Sequence, residues 1–397
     1  MATRVLARCV HGLEWACADE ISRRYPEAAG GLELSRRQVS FELAAPHAGL
    51  LDLSTVDDVF LVAGILDGIG STRDAPPAFA ARLPELPFPA LLEAVRALRP
   101  LPARPAFDVV ASLEGRRNYN RFAVENAAGP ILARQLGGVF HARTPDRVPA
   151  GEPDLTVRLF LSGNTALAAL RLARRPLHRR NYKQHTGPGT LHPPLAAALV
   201  RLTEPDKPGG PGAPCPLLDP FCGDGTIPIE AARQAYPASA APRLVIGAEL
   251  DPTRLANARR NATLAGVHPS LVRADAAHPP CRPGTIATVV TNPPWSLAVN
   301  ATGALHNSLA PFWRRLPPLL APGARLAAVL DADLAAPALL HKLGYQIGLQ
   351  STIRLAGRLS DLILAAPPGH DPPRLAPELA AWRQQAITSG TITERGF

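Results

Sequence analysis

The sequence predicts an α/β protein in which a doubly wound parallel sheet follows two small α+β units. Three observations predict it. From about residue 190, short apolar runs alternate with amphipathic ones, the rhythm of strands and helices in a parallel sheet. Before that point similar runs occur in two less regular sets, divided by a Pro-rich stretch at residues 76–89 that reads as a linker. The chain has 397 residues, 46% hydrophobic and 19% charged, which suits two or three cores and is too apolar for a disordered chain.

The first set opens with a strand at 5–10 and an amphipathic helix at 13–25. Residues 39–43 alternate like a strand, and 56–66 form a buried apolar run. After the linker come a helix at 88–98, a strand at 107–112, and a helix at 124–136 closed by Gly137-Gly138. Residues 155–161 and 165–172 then pair as a hairpin turning at Gly163-Asn164. The last set begins with a helix at 193–202 and a Pro/Gly loop at 203–214. Strands follow at 216–219, 244–249, 271–273, 286–291 and 325–330, with 362–366 the last. Helices are expected at 226–235, 252–265 and 306–320. The final thirty residues are Pro-rich and then polar, and partial disorder is expected there.

The formal charge is +9, carried by 42 basic residues of which only Lys183, Lys207 and Lys342 are lysine. Abundant Ala and Pro beside this arginine bias point to genome base composition. The charge is unevenly placed: residues 1–103 are net −3, residues 104–183 net +8 and residues 184–397 net +4. Arg171 to Lys183 holds six basic residues and no acid, a candidate surface for an acidic partner or simply a solvated face. No window reaches the ~18 apolar residues of a membrane span. Arg4 and Arg8 precede no apolar segment, and Glu14, Asp19 and Glu20 come too early for a signal peptide. The five cysteines are scattered without a C-x-x-C pair, so no metal is expected, and the setting is expected to be reducing and cytoplasmic.

The chemistry is concentrated at successive strand ends. Asp219-Pro-Phe-Cys-Gly-Asp-Gly225 places a Gly-x-Gly turn between strand and helix, where a ligand can approach the backbone. Pro228 stands where a dinucleotide fingerprint needs a third glycine, which disfavours an NAD enzyme. Glu249 ends the next strand, placed to accept both hydroxyls of a ribose, and Asp275 follows the third, near an adenine amino group. The fourth strand runs into Asn292-Pro293-Pro294-Trp295. The Asn292 amide oxygen and a nearby carbonyl can accept hydrogen bonds from an exocyclic amine, and Trp295 offers a face on which a base can stack. Catalysis there is mainly positioning of an amine in line with an electrophilic methyl group. Cys222 reads as a packing residue, and His185 and His192 as structural ones.

The run from Asp219 to Ala232, together with Asn292-Pro-Pro-Trp295, resembles the class I S-adenosylmethionine methyltransferases that make N2-methylguanosine in RNA. It is most similar to the THUMP-containing type acting on tRNA, which has a relative acting on large-subunit rRNA. The resemblance implies an N-terminal ferredoxin-like domain (1–75), a THUMP RNA-binding domain (76–180), a Rossmann-like methyltransferase domain (181–370) and a C-terminal tail (371–397). It also implies S-adenosylmethionine as cofactor and tRNA, alternatively rRNA, as partner of a monomer. Asp219, Phe221, Gly223 and Gly225 would then line the methionine end of the cofactor. Glu249 would hold its ribose and Asp275 its adenine, with Asn292 beside it, while Asn292, Pro293, Pro294 and Trp295 take the target guanine.

Within the basic segment, Arg174, Arg175, Arg179, Arg180 and Lys183 become the candidate RNA contacts. Three departures from the family pattern stand out: Asp224 for the usual Ser, Trp295 for Tyr or Phe, and Ser296-Leu297-Ala298 where Gly and Arg are usual. Rival functions share the Asn-Pro-Pro-aromatic chemistry on adenine N6 or a protein glutamine amide. A different class is an RNA-binding relative without turnover.

Overall fold

The computed structural model describes residues 2–144, 151–204, 216–234, 244–294, 303–306, 308–334, 336–355 and 357–396. Its N-terminal part is built from β1 (Thr3–Arg8), α1 (Glu14–Arg24), β2 (Glu33–Ser35), β3 (Gln38–Leu43), β4 (Asp58–Asp67), α2 (Ala75–Arg82), α3 (Phe88–Leu98), β5 (Ala106–Leu113), α4 (Arg121–Leu136), β6 (Val139–Phe140), β7 (Leu155–Ser162) and β8 (Thr165–Arg171). These strands form one eight-stranded sheet, ordered β2-β3-β1-β4-β8-β7-β5-β6. The antiparallel pairing of β4 with β8, Phe60 opposite Arg171, makes the sheet continuous across the two sets of elements. One core runs through both, from Val5 and Leu61 to Phe107 and Leu159.

The stretch read as a linker is helical instead. Pro76 and Pro77 sit in the first turn of α2, where a missing N–H costs no helical bond, and Phe79, Ala80 and Leu83 are buried in the common core.

The C-terminal part comprises α5 (Pro193–Leu202), β9 (Leu217–Asp219), α6 (Thr226–Arg233), β10 (Val245–Glu249), α7 (Pro252–Ala265), β11 (Ser270–Arg273), β12 (Ile286–Thr291), α8 (Ala310–Arg315), β13 (Leu320–Asp331), α9 (Ala336–Lys342), β14 (Gln346–Leu355), β15 (Arg358–Ala366) and α10 (Pro377–Thr388). The seven strands run β11-β10-β9-β12-β13-β15-β14. From β11 to β13 they are parallel, and β15 and β14 close the edge antiparallel.

Helix α7 shows why local signals suffice for some elements. The Asp251 carboxylate accepts from the Thr253 and Arg254 N–H groups, Pro252 takes the first position, and Gly266 ends the helix at φ +67°. The long helix expected at 306–320 is broken: only Ala310–Arg315 is α-helical, because Pro317 and Pro318 remove the donors that a longer helix needs. The expected disordered end instead holds α10, whose Trp382 indole donates to the Ser22 hydroxyl of α1 at 3.1 Å. The 203–214 loop lies mostly outside the described residues.

Helix α1 is shared between the two sheets. Cys17 and Ile21 belong to the N-terminal core, whereas Trp15 and Ala16 pack with Leu195 and Leu199 of α5. Asp19 is buried in an ion pair with Arg201 of α5, and Arg23 bridges Asp19 and Glu204 at 3.0 and 2.8 Å. Arg180, in the connecting segment, donates to Glu230 of α6 at 3.0 Å, to the Ser54 carbonyl at 2.5 Å and to the Leu177 carbonyl at 2.7 Å. Both members of the Arg180–Glu230 pair are buried. Glu230→Ala leaves the guanidinium buried without its counter-charge and is predicted to cost about 3–5 kcal/mol of stability, read by urea unfolding. A loss below about 1 kcal/mol would show that the pair does not hold the halves together.

Candidate active site

In the C-terminal sheet the chain steps outward from β9 to β10 and β11, then returns to the other side of β9 as β12. Ligands of open α/β sheets bind at this reversal, outside the carboxyl ends of the strands. Asp219 is the last residue of β9 and is fully buried. The turn after it holds Gly223 at φ +53° and Gly225 at φ +88°, a left-handed backbone that side chains disfavour. A Cβ on Gly225 would also stand 2.9 Å from that of Ala258, so the turn packs directly on α7.

Glu249, at the end of β10, accepts from the Gly223 N–H and from the Asp251 N–H, both at 2.9 Å. Its carboxylate therefore braces the glycine turn as well as facing the cavity. Asp275, after β11, accepts from the Ala277 and Ala304 N–H groups at 2.8 and 3.0 Å. Asn292 follows β12. Its amide N–H donates to the Gly189 carbonyl at 3.4 Å, while its Oδ1 is buried without a partner among the described residues. A buried acceptor facing a cavity is a position for a donor on a ligand.

One cavity of about 1300 Å³ brings together Asp219, Phe221, Gly223, Glu249, Asp275, Asn292, Pro293 and Pro294. Small-ligand pockets run to about 300–1000 Å³, so there is room for a nucleotide beside a cofactor. Trp295, expected to stack the target base, and Ser296-Leu297-Ala298 lie outside the described residues.

Burial shifts several groups on this cavity. It pushes the Asp219 carboxyl up to about 8, the Lys183 ammonium down to about 8 and the His192 imidazole down to about 3. Asp57, His178 and His192 are the one grouping among the described residues that could hold a metal ion. Arg37, Arg180 and Lys183 surround it, and their positive charge opposes a dication there.

Asp224 explains itself in the structure. It is buried and accepts from the Gly187 N–H at 2.8 Å, from Asn257 Nδ2 at 3.2 Å and from Arg254 Nη2 at 3.3 Å. Asn261 Nδ2 donates to the carbonyls of His185 and Asp224 at 2.7 and 3.0 Å. Arg254, Asn257 and Asn261 thus latch the connecting segment onto the glycine turn. Sequence reasoning missed all three, although their spacing along one face of the well-marked α7 was available as a signal.

The candidate RNA residues separate. Arg174 and Arg179 are exposed, and Arg179 lines the cavity. Arg175 pairs with Glu152 at 2.6 Å. Lys183 is part-buried and donates to the Leu191 carbonyl. Arg180, expected on phosphate, is corrected to a structural residue, since Glu230 and two backbone carbonyls occupy its guanidinium.

Residues 180–347 match the model of the UPF0020 family, an RMKL-like methyltransferase domain. The tRNA (guanine(6)-N2)-methyltransferase of Thermus thermophilus is 31% identical over 317 residues, covering 80% of this chain and 85% of that one. The chain belongs to the RMKL-like methyltransferase family. The ribosomal RNA large subunit methyltransferase K/L of Magnetococcus marinus is 42% identical over 83 residues, 21% of this chain and 11% of that one. Among solved structures, TrmN from Thermus thermophilus superposes with a TM-score of 0.68 at 28% identity, over 92% of this chain and 99% of that one. The likeness to that structure thus extends across both sheets described above.

The Asp219 shift gives a stability prediction. The unfolded carboxyl titrates near 4 and the folded one near 8, so between these values the native state holds a proton that the unfolded chain has lost. Stability therefore falls as pH rises through that window, by up to about 1.4 kcal/mol per pH unit. Asp219→Asn removes this dependence. Its melting temperature relative to wild type should climb from pH 5 to pH 8; a constant offset across that range would contradict a protonated Asp219.

Proposed function

We propose that this methyltransferase uses S-adenosylmethionine to methylate the N2 amino group of a guanosine in tRNA, at position 6 as in the name of its Thermus relative. The observation that carries the reading is the unpartnered Asn292 Oδ1 on the cavity that Glu249 and Asp275 also line. The residues fit the cofactor: a glycine turn open to close backbone approach, a carboxylate at the next strand end for a ribose, and another one strand further for an adenine amino group. When bound, S-adenosylmethionine supplies an electrophilic methyl group.

The remaining steps belong to this chain. Asn292 Oδ1 and the backbone carbonyl beside it accept hydrogen bonds from the guanine amine, which turns the nitrogen lone pair toward the methyl group. The nitrogen gains positive charge as its new bond forms at the expense of the sulfonium–methyl bond, so these acceptors hold it more tightly in the transition state than in the ground state, and the surplus proton then leaves to water. Pro293 and Pro294 fix the backbone that presents them. Trp295 supplies the face on which the flipped base stacks. Residues 76–180, read as a THUMP unit, hold the RNA body while one nucleotide enters.

The test is incubation with S-adenosylmethionine and unmodified tRNA, followed by mass spectrometry of the digested nucleosides. N2-methylguanosine is expected; N6-methyladenosine, or binding without any methylated nucleoside, would overturn the assignment. Asn292→Ala should lower kcat about 10- to 150-fold, the ~1.5–3 kcal/mol of a hydrogen bond to a charged group, and leave cofactor affinity in place by calorimetry. Loss of cofactor binding with kcat retained would move Asn292 from the target base to the cofactor.

A further inference from the structure

The cavity has a second wall, contributed by the N-terminal sheet. Arg36 and Arg37 reach it from the two-residue turn between β2 and β3, and Arg179 reaches it from the connecting segment. Arg37 has φ +63° and is the one non-glycine residue with positive φ among the described residues. A turn with positive φ at its second central residue normally places Gly or Asn there. Strained backbone persists where the surroundings over-determine it, often at sites of function.

Here the surroundings are specific. The Arg37 N–H donates to Glu14 Oε1 at 2.7 Å, and the Arg37 carbonyl accepts from the Cys9 N–H at 3.1 Å. Glu14 is itself fully buried, and it also accepts from the Gly12 N–H at 2.8 Å. A buried carboxylate thus pins the tip of the hairpin in place. The side chains beyond it are left outward: Arg36 is 71% exposed and Arg37 53% exposed. Among the described residues each guanidinium has one carboxylate within 4 Å, Glu114 for Arg36 and Asp57 for Arg37, both at 3.8 Å and beyond hydrogen-bond distance.

We propose that Arg36 and Arg37 bind RNA phosphate next to the nucleotide that enters the Asn292 site, and so position that nucleotide. The inference rests on the RNA reading above and adds residues from the segment whose net charge is −3. Guanidinium forks match phosphate oxygens in pairs, and a backbone-pinned tip gives them a fixed place on the cavity that Asn292 also lines. The cavity is larger than a cofactor needs, which leaves space between the two walls for the nucleotide.

The test compares wild type with the double variant Arg36→Gln/Arg37→Gly. Glycine accepts φ +63°, so the turn is kept while the charge is removed. The expected result on unmodified tRNA transcripts is a KM raised about tenfold or more. The log–log salt slope of RNA binding should flatten by about 1.4–1.8, two phosphates at ~0.7–0.9 each. With kcat within about twofold and cofactor affinity unchanged, the effect lies on RNA alone. Arg36→Lys/Arg37→Lys should restore most of the salt slope. KM and slope equal to wild type would overturn the proposal, as would a loss confined to kcat or to cofactor affinity. Should the double variant fail to fold, Arg36→Gln alone carries the test with half the slope change. Wild type that neither binds nor methylates tRNA would sink the RNA reading as well; an active wild type with an indifferent variant would sink this proposal only.

Discussion

A buried guanidinium in the connecting segment is one of the ties that join the N-terminal half of the molecule to the half that carries the candidate site. Arg180 reaches Glu230 on the helix behind the glycine turn and the Ser54 carbonyl just ahead of β4. Tyr182 donates to the same Glu230 carboxylate at 2.7 Å, so the connecting segment is tied down twice within three residues. Methyl transfer by positioning tolerates little error, because a misplacement of about 1 Å costs on the order of a hundredfold. A buried, fully hydrogen-bonded ion pair is directional and cannot slide as an apolar contact can. It ties the segment ahead of β4 to α6, the helix behind the glycine turn.

The glycine turn is held by the same kind of logic on a smaller scale. Asp224 collects donors from the connecting segment and from α7, and Glu249 collects the Gly223 N–H. The candidate cofactor turn is thereby braced from three sides, which lowers the ordering cost of binding a ligand there. Asn292 Oδ1 is the exception, a buried acceptor with nothing to accept from among the described residues.

Much of this was legible in the sequence, and the reason is locality. Helix α7 matches its expected bounds because Asp251, Pro252 and Gly266 are signals within the element itself. The order Asp219, Glu249, Asp275, Asn292 follows from strand ends in a parallel sheet, and the cavity gathers all four. What was illegible depended on distant partners. Nothing in the run of arginines distinguishes Arg180 from Arg179, because Glu230 lies 50 residues away. Helix α10 was hidden by its Pro-rich approach, and its anchor at Ser22 is 360 residues distant. Strand β14 went unread because Gly348 interrupts it and because a buried position is filled by Ser351, which masks the period of two. Arg36 and Arg37 lie in a net acidic segment, so charge counting pointed away from them.

Asn292 is proposed to hold an exocyclic amine for methylation. The most direct measurement is single-turnover methyl incorporation into two tRNA transcripts, one with guanosine and one with inosine at the target position. Inosine lacks the N2 amino group and is otherwise the same base. The predicted result is incorporation into the guanosine transcript and none into the inosine transcript, with both bound equally at matched salt. Equal incorporation into the two would contradict it.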